Sequence, residues 1–117
     1  MSKPLVHHVA DRARGLIADP RTWTQGAMAR TGNHRDCEPT DARAVRFCAY
    51  GAIQRAAYDI AGNDSQAQKL SDQVAMLIMG RDSPYTAFEE IIAINDGPRS
   101  TARKAVLGLF DRALVKV

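Results

Sequence analysis

Residues 41–61, DARAVRFCAYGAIQRAAYDIA, constrain this chain more than any other stretch, because a run this rich in apolar and small residues has to be buried at the centre of a fold. Wound as a helix at about 100° per residue, it puts Ala49, Ala52, Ile53, Ala56 and Ile60 on one side. Cys48 and Arg55, seven residues apart, fall on one line beside them. The pattern predicts a central helix over 41–61, with Thr40 as its N-cap and Asp41 against its positive end, stopping near Gly62 and Asn63.

Other helices are expected on both sides of this run. Ser2 and Pro4 make a helix start, and Leu5, Val6, Val9, Ala13, Leu16 and Ile17 recur at helical spacing until Asp19 and Pro20 stop them. From Trp23 to Thr31 the period loosens. Gly26 sits where a helix would suffer, and Gly32 and Asn33 tolerate the positive φ of a tight turn, so a small β-hairpin closing through Arg35 to Glu38 is predicted. Asp64 or Ser65 is the expected cap of a third helix with a stripe of Ala67, Leu70, Val74, Leu77 and Ile78, ended by Gly80. Ser83 and Pro84 open a short fourth helix, with Thr86 and Glu89 at capping-box spacing and Phe88, Ile91 and Ile92 inward, broken at the turn Asn95 to Pro98. Ser100 or Thr101 starts the last helix, whose apolar positions Ala102, Ala105, Val106, Leu109, Phe110, Ala113, Leu114 and Val117 keep the 3.6-residue period. The fold class that results is mainly α: a small single-domain helical bundle of about five helices with a short β-hairpin insertion, spanning 1–117.

Charge and composition exclude more than they assign. Sixteen Lys and Arg against thirteen Asp and Glu give a net charge of +3, which permits an anionic partner without requiring one. The basic residues form no run, although Arg12, Arg14, Arg21, Arg30 and Arg35 weight the first third toward positive charge. The two cysteines, Cys37 in a polar stretch and Cys48 in the apolar run, do not make a disulfide framework and suit a reducing, cytoplasmic setting. The first twenty residues carry Lys3, Asp11, Arg12, Arg14 and Asp19 and lack the apolar core of an export signal, and no stretch has the length of a membrane span. A soluble protein, monomer or homodimer, is expected.

Three segments taken together carry a resemblance: WTQGA at Trp23 to Ala27, CAYGA at Cys48 to Ala52, and Asn95-Asp96 followed by Thr101 and VLGLFDRA at Val106 to Ala113. In this order they resemble an uncharacterised family of small bacterial and phage proteins, over residues 4 to 116. The resemblance implies one fold for these segments and no particular activity. Phe47 stands where family members often have an indole before the cysteine, and Ile94 where they often have one before the Asn-Asp pair.

Candidate chemistry is sparse. Cys48 is a candidate nucleophile, with Arg55 near it to favour the thiolate, and its ordinary alternative is a small packing residue in an apolar helix. Arg55 calls for a carboxylate from Asp96, Asp59 or Glu89, and Asp59, one turn on, suffices for a local pair. His7, His8 and Asp11 suggest a metal at first sight, but two ligands on one helical turn are too few, and neither metal nor cofactor is expected. Trp23 and Gln25 are candidate binding residues, with the indole otherwise packing the hairpin onto the helices and bonding a carbonyl. Asn95 and Asp96 either close a turn or stand at the mouth of a pocket. Phosphate loops, catalytic triads, zinc-binding cysteine pairs and dinucleotide fingerprints are missing from the sequence. The leading expectation is therefore a non-enzymatic binding or interaction module for a protein or small-molecule ligand, with its groove where the hairpin meets the central helix. A cysteine-dependent enzyme using Cys48 comes second. A nucleic-acid-binding accessory protein using Arg12, Arg103, Lys104 and Arg112 comes third.

Overall fold

The first helix starts immediately after Pro4, which also opens the part of the chain that can be described: the computed structural model describes residues 4–115. Ser2 and Val117, assigned above to the ends of the first and last helices, lie outside the described residues. The element order is α1 (Leu5–Ile17), β1 (Ala29–Thr31), β2 (Asp36–Cys37), β3 (Ala44–Phe47), α2 (Ala49–Ala61), α3 (Asp64–Met79), α4 (Pro84–Asn95) and α5 (Ala102–Val115), with one 3-10 turn at Pro20–Thr22. The mainly α class follows the sequence pattern and a hairpin β1–β2 is present, but its first strand begins at Ala29 rather than Trp23, and the positive φ of its turn falls on His34 (63°) rather than on Gly32 or Asn33. The sheet has a third strand, in the order β2-β1-β3 with both pairings antiparallel.

Helix α2 is the interior element around which α1, α3 and α4 pack. Its Ala49, Ala52, Ile53, Ala56 and Ala57 are fully buried, so its neighbours approach a surface made mostly of methyl groups. Full burial of Ile53 alone contributes about 1.5–3 kcal/mol. Around it, α1 contributes Val9, Ala10, Ala13 and Ile17, α3 contributes Val74 and Ala75, and α5 contributes Val106 and Phe110. Ala105, expected inward on α5, is exposed. The helix ends are closed locally. Gly62 and Gly80 take left-handed conformations after α2 and α3, and Ser83 caps α4. Asn63, not Asp64 or Ser65, caps α3, its side chain accepting from Gln66 N at 2.9 Å.

The central helix is shorter than its sequence pattern predicts. Residues 44–47 form strand β3 rather than helix, and α2 begins only at Ala49. Four residues of the type AVRF fit a two-residue period as well as a helical one, so pairing partners decide. Here Ala44 and Phe47 are buried, Val45 is exposed, and β1 supplies the ladder. Thr40 and Asp41 therefore cap nothing. Asp41 instead closes a turn, accepting from Arg43 N at 2.8 Å and pairing with its guanidinium at 3.0 Å. The N-cap of α2 is Cys48, whose sulfur accepts from Gly51 N at 3.2 Å.

Gly51 fixes how closely α2 meets the sheet. The Cys48 amide donates to the Met28 carbonyl at 3.1 Å, and this brings the Met28 backbone so close to Gly51 that a Cβ there would overlap its carbonyl oxygen. Gly108, inside α5, has open space around the same position. Gly51→Ala is expected to lower the unfolding free energy by about 3 kcal/mol or more, since backbone would have to move. Gly108→Ala is expected to raise it by about 0.5–1 kcal/mol. Urea unfolding of both variants checks the pair, and a Gly51→Ala protein as stable as wild type would contradict this packing.

Candidate functional site

One amide side chain ties together three parts of the chain that are far apart in sequence. Asn95, the last residue of α4, is fully buried. Its Oδ1 accepts from Trp23 Nε1 at 2.8 Å and from Ala49 N, at the start of α2, at 2.9 Å. Its Nδ2 donates to the Thr24 carbonyl at 3.0 Å and to Asp96 Oδ1 at 3.2 Å. Gln25 Nε2 donates to the carbonyls of Asn95 at 2.9 Å and Gly97 at 2.8 Å, and Gly26 N donates to Asp96 Oδ1 at 3.0 Å. Trp23, Gln25, Asn95 and Asp96 thus form a single clasp that holds the segment after the 3-10 turn against the end of α4. The indole nitrogen bonds a side-chain carbonyl, within the pattern anticipated for a packing tryptophan. Asn95 does more than close a turn, since its two donors and its oxygen are all used in the interior.

Cys48 and Arg55 go to different places. Cys48 is 2% exposed and lines a cavity of about 200 Å³ with Gly26, Met28, Ile92 and Asp96. Burial pushes its thiol pKa up and the Asp96 charge adds to this, while amide hydrogen bonds from Gly51 and Tyr50 pull the other way. Its nearest polar partner besides the amides is Met28 Sδ at 3.8 Å. Arg55 lines a separate cavity, with Phe47 and Asp59, and its guanidinium lies 5.9 Å from the Phe47 ring centroid. It donates to Asp59 at 3.2 Å, the partner expected from one-turn spacing, and to the carbonyls of Pro39 and Asp41 at 3.1 and 3.0 Å.

The remaining candidates are dispersed. His7 is half-buried with Nδ1 unpartnered, and His8 and Asp11 are exposed. Among the described residues no three His, Cys, Asp or Glu side chains are placed to hold a metal ion. Of the basic residues on the first and last helices, Arg12 pairs with Asp59 at 2.7 Å and Arg103 donates to the Ala18 carbonyl at 2.6 Å. No helix among the described residues is long and apolar enough to cross a membrane.

A second feature adjoins the clasp. Trp23 and Thr24 also form one side of a cleft of about 270 Å³, whose other walls are Arg21, Arg30, His34, Arg46 and Arg99. Arg30 and Arg46 face each other across β1 and β3.

The family's model matches residues 1–115, nearly the whole chain. The chain belongs to DUF6197, a family of unknown function. No curated protein and no solved structure matches it. In this DUF6197 chain the clasp joins WTQGA, CAYGA and the Asn95-Asp96 pair that opens the third segment of the resemblance, while VLGLFDRA lies in α5. The arginine cleft has no such signal in the linear sequence. Its residues come from the 3-10 turn, two strands and the loop before α5, and only the pairing of β1 with β3 puts Arg30 beside Arg46.

Removing the Asn95 side chain leaves the Trp23 indole N–H, the Ala49 amide and the Thr24 carbonyl without partners inside the protein. Each such buried group costs about 1–3 kcal/mol. Asn95→Ala is therefore expected to lose about 3 kcal/mol or more of stability. Trp23 is the lone tryptophan, so its emission during urea unfolding reads the site directly. An unchanged midpoint and emission maximum would refute the clasp.

Proposed function

We propose that this chain is a non-enzymatic binding module, and that its recognition surface is the Trp23 to Met28 segment together with the clefts on either side of it. The clasp supports this reading most directly. Active sites keep reactive groups unspent and tuned, pointing into a cavity. Here the polar atoms of Trp23, Gln25 and Asn95 are spent on one another and on backbone, which makes the segment rigid. A rigid surface suits recognition, because little ordering entropy remains to be lost when a ligand arrives.

The cysteine-dependent alternative has less support. A nucleophilic thiol needs its thiolate form stabilised, yet burial and Asp96 act on Cys48 in the opposite sense. The sulfur is occupied as a helix cap, and Arg55 borders a different cavity. Cys37, half-buried and also free, provides an internal comparison.

The two readings separate on thiol reactivity. At neutral pH in the folded protein, iodoacetamide is expected to modify Cys48 about tenfold or more slowly than Cys37, with peptide mass spectrometry following each site. Cys48 reacting faster than Cys37 would overturn the binding-module reading in favour of a cysteine enzyme.

A further inference from the structure

We infer that the arginine-lined cleft beside Trp23 is a binding site for a phosphate group. This rests on the binding-module reading and names the ligand chemistry for it. Arg21, Arg30, Arg46 and Arg99 line one cleft with His34, and no Asp or Glu lines it. Asp19 and Asp36 offset two of these charges, pairing with Arg21 at 2.8 Å and Arg30 at 3.1 Å. Among the described residues the Arg46 guanidinium donates only to the Thr31 carbonyl, at 3.1 Å, and the Arg99 side chain has no hydrogen-bond or ion-pair partner.

The strand register sharpens the argument. Arg30 on β1 stands directly opposite Arg46 on β3, and like charges at opposed antiparallel positions destabilise the pair. An anion between the guanidinium groups converts that repulsion into attraction. Phosphate fits best, because the planar guanidinium fork matches two of its oxygens at once.

Position and size point the same way. Arg30 is held in place, donating to Thr24 Oγ1 at 2.8 Å, and Thr24 in turn is tied to Asn95 through its carbonyl. Gln25 anchors Gly97, two residues before Arg99, so the clasp fixes both walls of the cleft. At about 270 Å³ the cleft falls below the usual range of about 300–1,000 Å³ for pockets that enclose a whole small molecule. Trp23 is only 9% exposed and its N–H is taken, so no ring is free to stack on a base. The cleft therefore recognises the phosphate and leaves whatever carries it outside. The carrier is either a free phosphate or mononucleotide, or the backbone of a single nucleic-acid strand.

Isothermal titration of the full-length protein with pyrophosphate, adenosine monophosphate and a single-stranded oligonucleotide tests this, at about 150 mM salt to suppress loose surface attraction. Binding is expected with at least one probe. Pyrophosphate or the mononucleotide binding alone identifies a small phosphate ligand, and binding of the oligonucleotide alone identifies a strand. Arg99→Gln, an exposed change that removes no hydrogen bond or ion pair among the described residues, is expected to weaken binding about tenfold. Lys69→Gln, an exposed charge on α3 that does not line the cleft, should leave it unchanged. Binding lost in the latter variant and retained in Arg99→Gln would overturn the site, as would no binding of any probe. Thermal unfolding is a second readout. Without added anion, Arg46→Gln should melt no lower than wild type, because it relieves the repulsion facing Arg30. With pyrophosphate, wild type should gain several degrees and the variant should not. A variant that melts lower without anion, beside a wild type that gains nothing, would make Arg46 a structural residue and defeat the proposal. Neither failure alters the reactivity of Cys48, on which the binding-module reading is separately judged.

Discussion

The fold closes through the side-chain amide of Asn95. Helices α1 to α5 bury enough aliphatic surface to hold one another, whereas the sheet adds only Ala29, Ala44 and Phe47 to that core. Its strands are two to four residues long, and a sheet this small is not stable alone in water. Besides the burial of these side chains and the Cys48 amide bond to Met28, what joins it to the bundle is the set of bonds from the end of α4 to Trp23, Thr24 and the first amide of α2. These bonds lie in the interior, where low dielectric strengthens satisfied hydrogen bonds and makes any missing partner costly. The clasp works because Asn offers both an acceptor and donors on one short side chain. Neither Asp nor Leu has that combination.

The helical part of this architecture was legible from apolar spacing, because each helix shows its own stripe and local stop signals. Gly62, Gly80 and Ser83 do at the helix ends what their chemistry suggests. The missed strand shows the limit of such reading. Residues 44–47 look helical only because the truly helical run that follows is so strong, and their state is settled by β1, thirteen or more residues earlier. The clasp was legible in its membership and not in its wiring. Trp23, Gln25, Asn95 and Asp96 stood out as polar or amphipathic groups beside glycines, yet the bonds between them span about seventy residues, which no local pattern encodes. Cys48 and Arg55 looked like neighbours only under the assumption of one continuous helix. Once the helix starts at Ala49, the cysteine is its cap and the arginine packs on Phe47, in another cavity.

The N-terminus of α2 illustrates how one constraint produces the next. Because Ala49 N is taken by Asn95 and Gly51 N by the Cys48 sulfur, two of the amides that a helix start leaves unpaired are satisfied before any ligand is considered. The same geometry presses Met28 against Gly51 and seals the thiol under it. A helix N-terminus beside a cysteine is a common way of making a reactive thiolate. In this chain the two are adjacent, but the amides are used for packing and the sulfur is buried, so burial outweighs the favourable amides in setting the thiol's acidity.

Holding the sheet from outside has a consequence for charge. A free-standing sheet could not easily carry Arg30 opposite Arg46, because opposed like charges, of which Asp36 offsets only one, erode a cross-strand advantage of only about 0.2–1 kcal/mol per pair. The clasp and the bundle supply the stability that the strands lack, and the strand faces are thereby released from having to be self-complementary. Arg21 and Arg99 then reach the same cleft from the 3-10 turn and from the loop before α5, both bordering the clasp. Positive charge is concentrated on the part of the molecule whose conformation is least able to relax away from it. With Arg21 and Arg30 paired to Asp19 and Asp36, the charge of Arg46 and Arg99 remains, and on so rigid a support it favours an external anion over internal rearrangement as the means of neutralisation.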